Sequence, residues 1–311
     1  MPPVSSSARR AEAAPSQSSA RWELLRALGA ALLTPPPANR GVSEALGLPV
    51  PSGVDHTEAF VLSAPPHAAI HLGPEGKLGG EGLDRVAGFW RALGMVAPQD
   101  ADHLGVLLML YAELGEAEAA ASEERGRAQL QRARMALLHE HVWSWAPGYL
   151  AAVIALDIAP VSAWAELTLA TLLVETTQIG PPDQLPLAIR AAPTGLQASD
   201  SFEELLDVMV TPVRSGLILT RRDLGQTAAA LGVGYRHGER RYTLKAMLEQ
   251  DKPATVRWLA SPARSWSKQH RAVARGWPCD PSEWWSARAE ATAAVLDVIA
   301  DSASGVVDAS A

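Results

Sequence analysis

A chain of 311 residues with 48% hydrophobic content is long enough to bury a sizeable core in one or two domains. No run of roughly 18 apolar residues is free of charge, so no membrane span is expected. The lone cysteine, Cys279, excludes an internal disulfide, is too little for a cysteine-rich zinc site and fits a reducing compartment, while a net charge of −7 argues against nucleic-acid binding by the whole protein and allows a basic peptide as partner.

The first 19 residues are rich in Ser, Ala and Pro and read as a disordered tail. Arg9-Arg10 invites an export-signal reading, but Glu12, Pro15, Arg21, Glu23 and Arg26 interrupt the apolar stretch such a signal needs, so the protein is expected to stay in the cytoplasm. Trp22, Leu25, Leu28, Leu32 and Leu33 then form one helical stripe, which Pro35-Pro36-Pro37 ends because proline cannot continue a helix. Residues 35–57 read as a loop.

Pro65-Pro66-His67 opens a segment running to His71. His67 and His71 are four apart, a spacing open to metal ligation on a helix, but the prolines and Ile70 favour an extended or turn-like segment. Residues 73–80 are glycine-rich and contain Lys77; no Ser or Thr follows the lysine, so this is a surface turn and not a phosphate cradle. It leads into a helix over 83–93 that buries Leu83, Val86, Trp90 and Leu93, with Gly94 as its C-cap.

Asp100-Ala101-Asp102-His103-Leu104 precedes a Leu/Ala-rich helix over 103–121. Asp100 or Asp102 can cap its first turn, which leaves His103 unexplained. A second helix covers 125–141 and ends in His139-Glu140-His141, followed by Trp143, Trp145 and Tyr149. The two histidines point about 200° apart on a helix and do not chelate one metal easily; the tryptophans fill gaps between helices. Helices over 145–156 and 161–177 complete a bundle, giving a core of residues 20–180, a linker at 181–201 and a helical segment over 202–300. Residues 301–311 are expected to fray.

That last segment holds a charge concentration. Residues 211–275 carry thirteen basic side chains against four acidic ones, about +9, leaving about −16 for the rest. Thr220 as a cap, a helix over 221–231, Gly232 as a turn and a helix with Arg236, Arg240, Arg241 and Lys245 outline a helix-turn-helix, so a DNA-binding regulator acting through 211–275 is the alternative reading. The other reading is that these arginines face solvent on a helical hairpin or dock an acidic patch on the bundle. No alternating strand pattern and no Gly-x-Ser-x-Gly elbow is present, so the expected fold is all-α and the protein is not expected to be an enzyme or to hold a cofactor.

The double proline, the glycine turn, the Trp90 helix, the Asp102-His103 pair and the His141-to-Trp145 motif, in this order and spacing, resemble the TorD/DmsD/NarJ family of redox-enzyme maturation chaperones over residues 58–177. The resemblance implies a single all-helical bundle of the TorD-like type with an extra C-terminal helical segment, as monomer or domain-swapped dimer. It implies a protein that binds the twin-arginine signal peptide of a molybdoenzyme precursor of the dimethyl-sulfoxide-reductase class, assists cofactor insertion and delays export. On that resemblance Asp100 and Asp102 meet the arginines, with Leu104 on the same face. His67, His71 and His103 wall the groove, Trp90 and Trp145 support it, and His141 hydrogen-bonds near its rim. Asp102→Ala with His103→Ala is then expected to abolish peptide binding and leave helicity intact.

Overall fold

The computed structural model describes residues 17–236 and 238–308. Helices fill it; the one β feature among the described residues is an isolated antiparallel bridge between His67 and His103. Of the tails expected over 1–19 and 301–311, residues 1–16 and 309–311 lie outside the described residues; helix begins at Gln17 and the last helix runs to Asp308.

Helix α1 (Gln17–Leu33) ends where the prolines forbid continuation. The expected loop over 35–57 instead carries α2 (Arg40–Ala45) and α3 (Gly53–His56), the latter started by a capping box between Ser52 and Asp55. Their few apolar side chains do not make a stripe, which is why periodicity passes over them. A π-helical turn, Thr57–Ser63, buries Ala59, Phe60 and Ser63 and leaves Val61 and Leu62 in solvent. After the double proline come α4 (Ala68–Leu72) and α5 (Gly80–Ala92). His71 is thus helical, whereas His67 has the extended backbone expected beside the prolines.

Helix α6 (Leu104–Ala120) lies along α1. The two backbones nearly touch: a Cβ on Gly29 would come within 2.6 Å of the Gly105 carbonyl, so side chains of any size are excluded there. Helix α7 (Glu124–Ala136) runs into a second π-helical turn, Leu137–Trp143, and α8 (Ala146–Ala155) and α9 (Ala159–Ile179) close the bundle. Its centre holds a buried ionic network. Glu175 pairs with Arg21 and accepts from the Tyr111 hydroxyl (2.8 Å). Arg134 donates to that hydroxyl (2.9 Å) and to Glu118 (2.7 Å). Burial, then the Glu175 charge, drive the Tyr111 pKa upward, keeping the phenol neutral.

The expected linker holds α10 (Leu187–Arg190). Beyond it come α11 (Phe202–Val210), α12 (Pro212–Ser215), α13 (Arg221–Leu231), α14 (Arg240–Gln250), α15 (Lys252–Ala272) and α16 (Pro281–Asp308). This segment has its own apolar cluster around Leu206, Leu244 and Leu259. It is also sewn into the first one: Val213 and Trp285 belong to the first cluster, and the Trp285 indole donates to the Ser144 carbonyl at 2.8 Å.

Only the first half of the helix-turn-helix outline is present: α14 starts at Arg240, so Arg236 lies outside it and a longer connection stands in place of the turn. Thr220 and Asp223 form a capping box and Gly232 takes the left-handed conformation (φ 68°). Yet the second helix is docked: Arg241 bonds Asp207 (2.5 Å) and Glu203 (2.6 Å), and Lys245 bonds Glu203 (2.9 Å). The basic face of α14 is answered by the acidic face of α11, inside the C-terminal segment and not on the bundle where docking was expected.

Candidate functional site

The double proline denies two consecutive main-chain donors and biases Ala64 and Pro65 away from helix, so residues 65–67 form a non-helical strap in which the His67 N–H donates back to the Pro65 carbonyl (2.9 Å). This strap is pinned to the start of α6. Leu104 donates its N–H to the Pro66 carbonyl (2.8 Å) and Ala68 donates to the Asp102 carbonyl (3.0 Å). The Asp102 carboxylate adds two more ties, accepting from the Ala69 N–H (2.8 Å) and from His67 Nδ1 (3.2 Å). Burial alone would raise the Asp102 pKa; the bonds from His67 and Ala69 outweigh it and hold the group below its ordinary value.

His103, and neither aspartate, caps α6. Its Nδ1 accepts the Gly105 N–H at 3.1 Å, so that nitrogen carries no proton. Burial, with the nearby His67 charge, pushes its pKa down to about 4, which keeps the ring an acceptor. The His67 and His103 rings meet edge to face at 5.0 Å.

The structure therefore gathers His67, Asp102, His103 and Leu104 into one cluster, but not as an open acidic edge. Asp102 is 2% exposed with both oxygens engaged, and Leu104 is fully buried. A direct arginine contact by Asp102 is corrected on that ground. The carboxylate left in solvent is Asp100. One turn inward, His71 stacks on Trp145 (4.9 Å, 18°) and meets Tyr149 edge-on. Burial pushes its pKa down to about 3, and it is core, not a groove wall.

Trp145 donates its indole N–H to the His141 carbonyl (2.8 Å) and is buried, as is Trp143. His141 is no rim residue either: it is buried against the Phe89 ring at 4.8 Å, and burial lowers its pKa to about 4. Trp90 is likewise core. Among the described residues no group of three or more His, Cys, Asp or Glu side chains could hold a metal ion.

Two surfaces border the strap. On the α6 side, Leu33 and His103 both overhang Gly105: a Cβ there would lie 2.8 Å from Leu33 Cγ and 3.2 Å from His103 Nδ1. Leu33 and Met109 are each more than a third exposed, so an aliphatic seam between α1 and α6 begins at the histidine pair. On the other side a cleft of about 690 Å³ has Val61, Leu62, Pro65 and Ile70 on one wall and Arg221 and Arg240 on the facing one.

These features define an all-helical bundle whose most distinctive segment is a non-helical proline strap locked to a helix start by the buried Asp102 and its half-buried partner His67. Residues 52–151, which contain that whole unit, match the family described as nitrate reductase delta subunit. The likeness is to a family of the NarJ/TorD type, redox-enzyme maturation chaperones, and it covers about a third of the chain. No curated protein matches the chain. Among the described residues no helix is long and apolar enough to cross a membrane.

Proposed function

We propose that the protein is a cytoplasmic chaperone that binds the twin-arginine signal peptide of a molybdoenzyme of the dimethyl-sulfoxide-reductase class and assists cofactor insertion before export. The observation that carries this reading is the family match over residues 52–151, the segment that builds the strap and its anchor. The leader lies along the strap and the α1–α6 seam. Exposed Asp100 takes an arginine through charge-assisted bonds, with His67 and His103 as flat walls. Leu33 and Met109 take the leader's apolar stretch. Asp102 is a positioning residue that holds His67 and the strap. Occupying the leader withholds it from the export machinery until the enzyme is mature, so binding alone performs the task.

Calorimetry with a synthetic twin-arginine leader tests this. Binding in the micromolar range or tighter is expected. Asp100→Ala should weaken it about tenfold, equal to roughly 1.4 kcal/mol, without changing helicity. A leader that binds no better than its twin-lysine or scrambled counterparts refutes the reading.

A further inference from the structure

We infer that the cleft on the far side of the strap is a second binding site, for a peptide segment of a partner protein that carries aliphatic and carboxylate side chains. Its volume of about 690 Å³ falls within the roughly 300–1,000 Å³ typical of built ligand sites. One wall is aliphatic and wet: Val61 is 58% and Leu62 42% exposed, next to each other on the π-helical turn. Apolar side chains gathered on a cleft wall mark an interaction surface more than scattered ones do.

The other wall decides the sign of the ligand. Five cations line the cleft. Arg214 is neutralised by Glu204, and Arg241 by Glu203 and Asp207. Lys77, Arg221 and Arg240 have no carboxylate partner among the described residues. Glu75 and Glu239 also line the cleft and are exposed to solvent. Arg240 is the sharpest case. Its guanidinium donates to the neutral Leu219 carbonyl (3.1 Å), and burial lowers its pKa, so its charge is poorly compensated. A carboxylate from outside supplies the charge-assisted bond that the fold withholds. An arginine pair entering here would meet like charge, so this site and the leader's face select opposite chemistries. The inference does not depend on the leader reading, because it rests on residues that reading does not use.

Fluorescence anisotropy on the full chain tests it with three labelled peptides: one alternating Leu or Val with Glu or Asp, its Gln/Asn counterpart, and a twin-arginine leader. The acidic peptide should bind at micromolar concentration, about tenfold tighter than its amide counterpart, and weaken at about 0.3 M salt. Lys77→Gln with Arg221→Gln should weaken it about tenfold, and Val61→Ser several-fold, with circular dichroism unchanged. Asp100→Ala should leave it unaltered, and unlabelled leader should not displace it. Absent binding, equal affinity for the amide peptide, or displacement by the leader would each overturn the assignment. Leader affinity is read in its own titration, so failure of the leader reading is seen separately.

Discussion

The Asp102 carboxylate accepts the main-chain N–H of Ala69 at 2.8 Å, across 33 residues of chain. It thereby joins the strap to the start of α6 from the inside. Asp102→Ala leaves that buried donor and His67 unmet, and is expected to destabilise the fold by about 1–3 kcal/mol. His103→Ala removes the α6 cap and costs about 1 kcal/mol more. The double variant therefore loses stability along with binding, contrary to the expectation of intact helicity. Urea denaturation measures this; a double variant as stable as the parent would show that the anchor is dispensable.

Acid should loosen the protein through its histidines. Burial holds His103, His141 and His270 at about 4 and His71 at about 3, all down from 6.5. The unfolded chain takes up protons that the fold refuses. Stability is thus complete above pH 6.5 and falls as the pH drops from there towards 4. The lowered Asp102 pKa adds its loss only below its unfolded value of 3.8. The melting temperature between about pH 7.5 and 4.5 reads this directly; a flat profile contradicts it.

Glu175→Ala takes the carboxylate from Arg21 and the acceptor from the Tyr111 hydroxyl, while Arg134 keeps Glu118. A loss of about 1–3 kcal/mol is expected, because a half-buried charge and a buried donor are left unmet. Tyr111→Phe removes only hydrogen bonds and should cost about 1 kcal/mol. A double-mutant cycle on these two sites should return a coupling well above the scatter of additive pairs.

Trp285→Phe keeps a ring in place but deletes the donor that meets Ser144. We expect one unfolding transition, shifted down by about 1–3 kcal/mol, because α16 and the 144–149 region share a core. Two transitions with only one displaced would mean that the C-terminal segment melts by itself.

Duplex DNA should not be shifted by the full chain at physiological salt. Arg241 and Lys245, which a recognition helix would turn to phosphates, already hold Glu203 and Asp207. A sequence-independent shift that steepens at low salt would contradict this.

Much of the architecture was legible because its signals are local. The stripe from Trp22, the stop at Pro35 and the Thr220 and Gly232 ends of α13 stand where elementary propensity puts them. The candidate site was legible as a set of residues but not as an arrangement. Asp102 and His103 lie beside the strap, but where an aspartate was expected to cap α6 and the histidine was left unexplained, the histidine caps and the aspartate reaches back. A capping rule built on carboxylates cannot foresee an imidazole with a bare nitrogen facing Gly105. Nor does spacing tell a buried histidine from an exposed one; His71 and His141 are decided by what Trp145 and Phe89 do around them. The two short helices in the expected loop have too few turns to print a period.

The tie between Arg21 and Glu175 has a consequence for the order of assembly. The partners are 154 positions apart, and the Trp164 indole, which bonds the Leu28 carbonyl, spans 136. A chain emerging from the ribosome at about 5–20 residues per second makes its first helix many seconds before the ninth exists to receive it. Until then the apolar stripe of α1 is a nascent surface that other proteins can reach, so a chain of this design passes through a vulnerable interval before its own core can close.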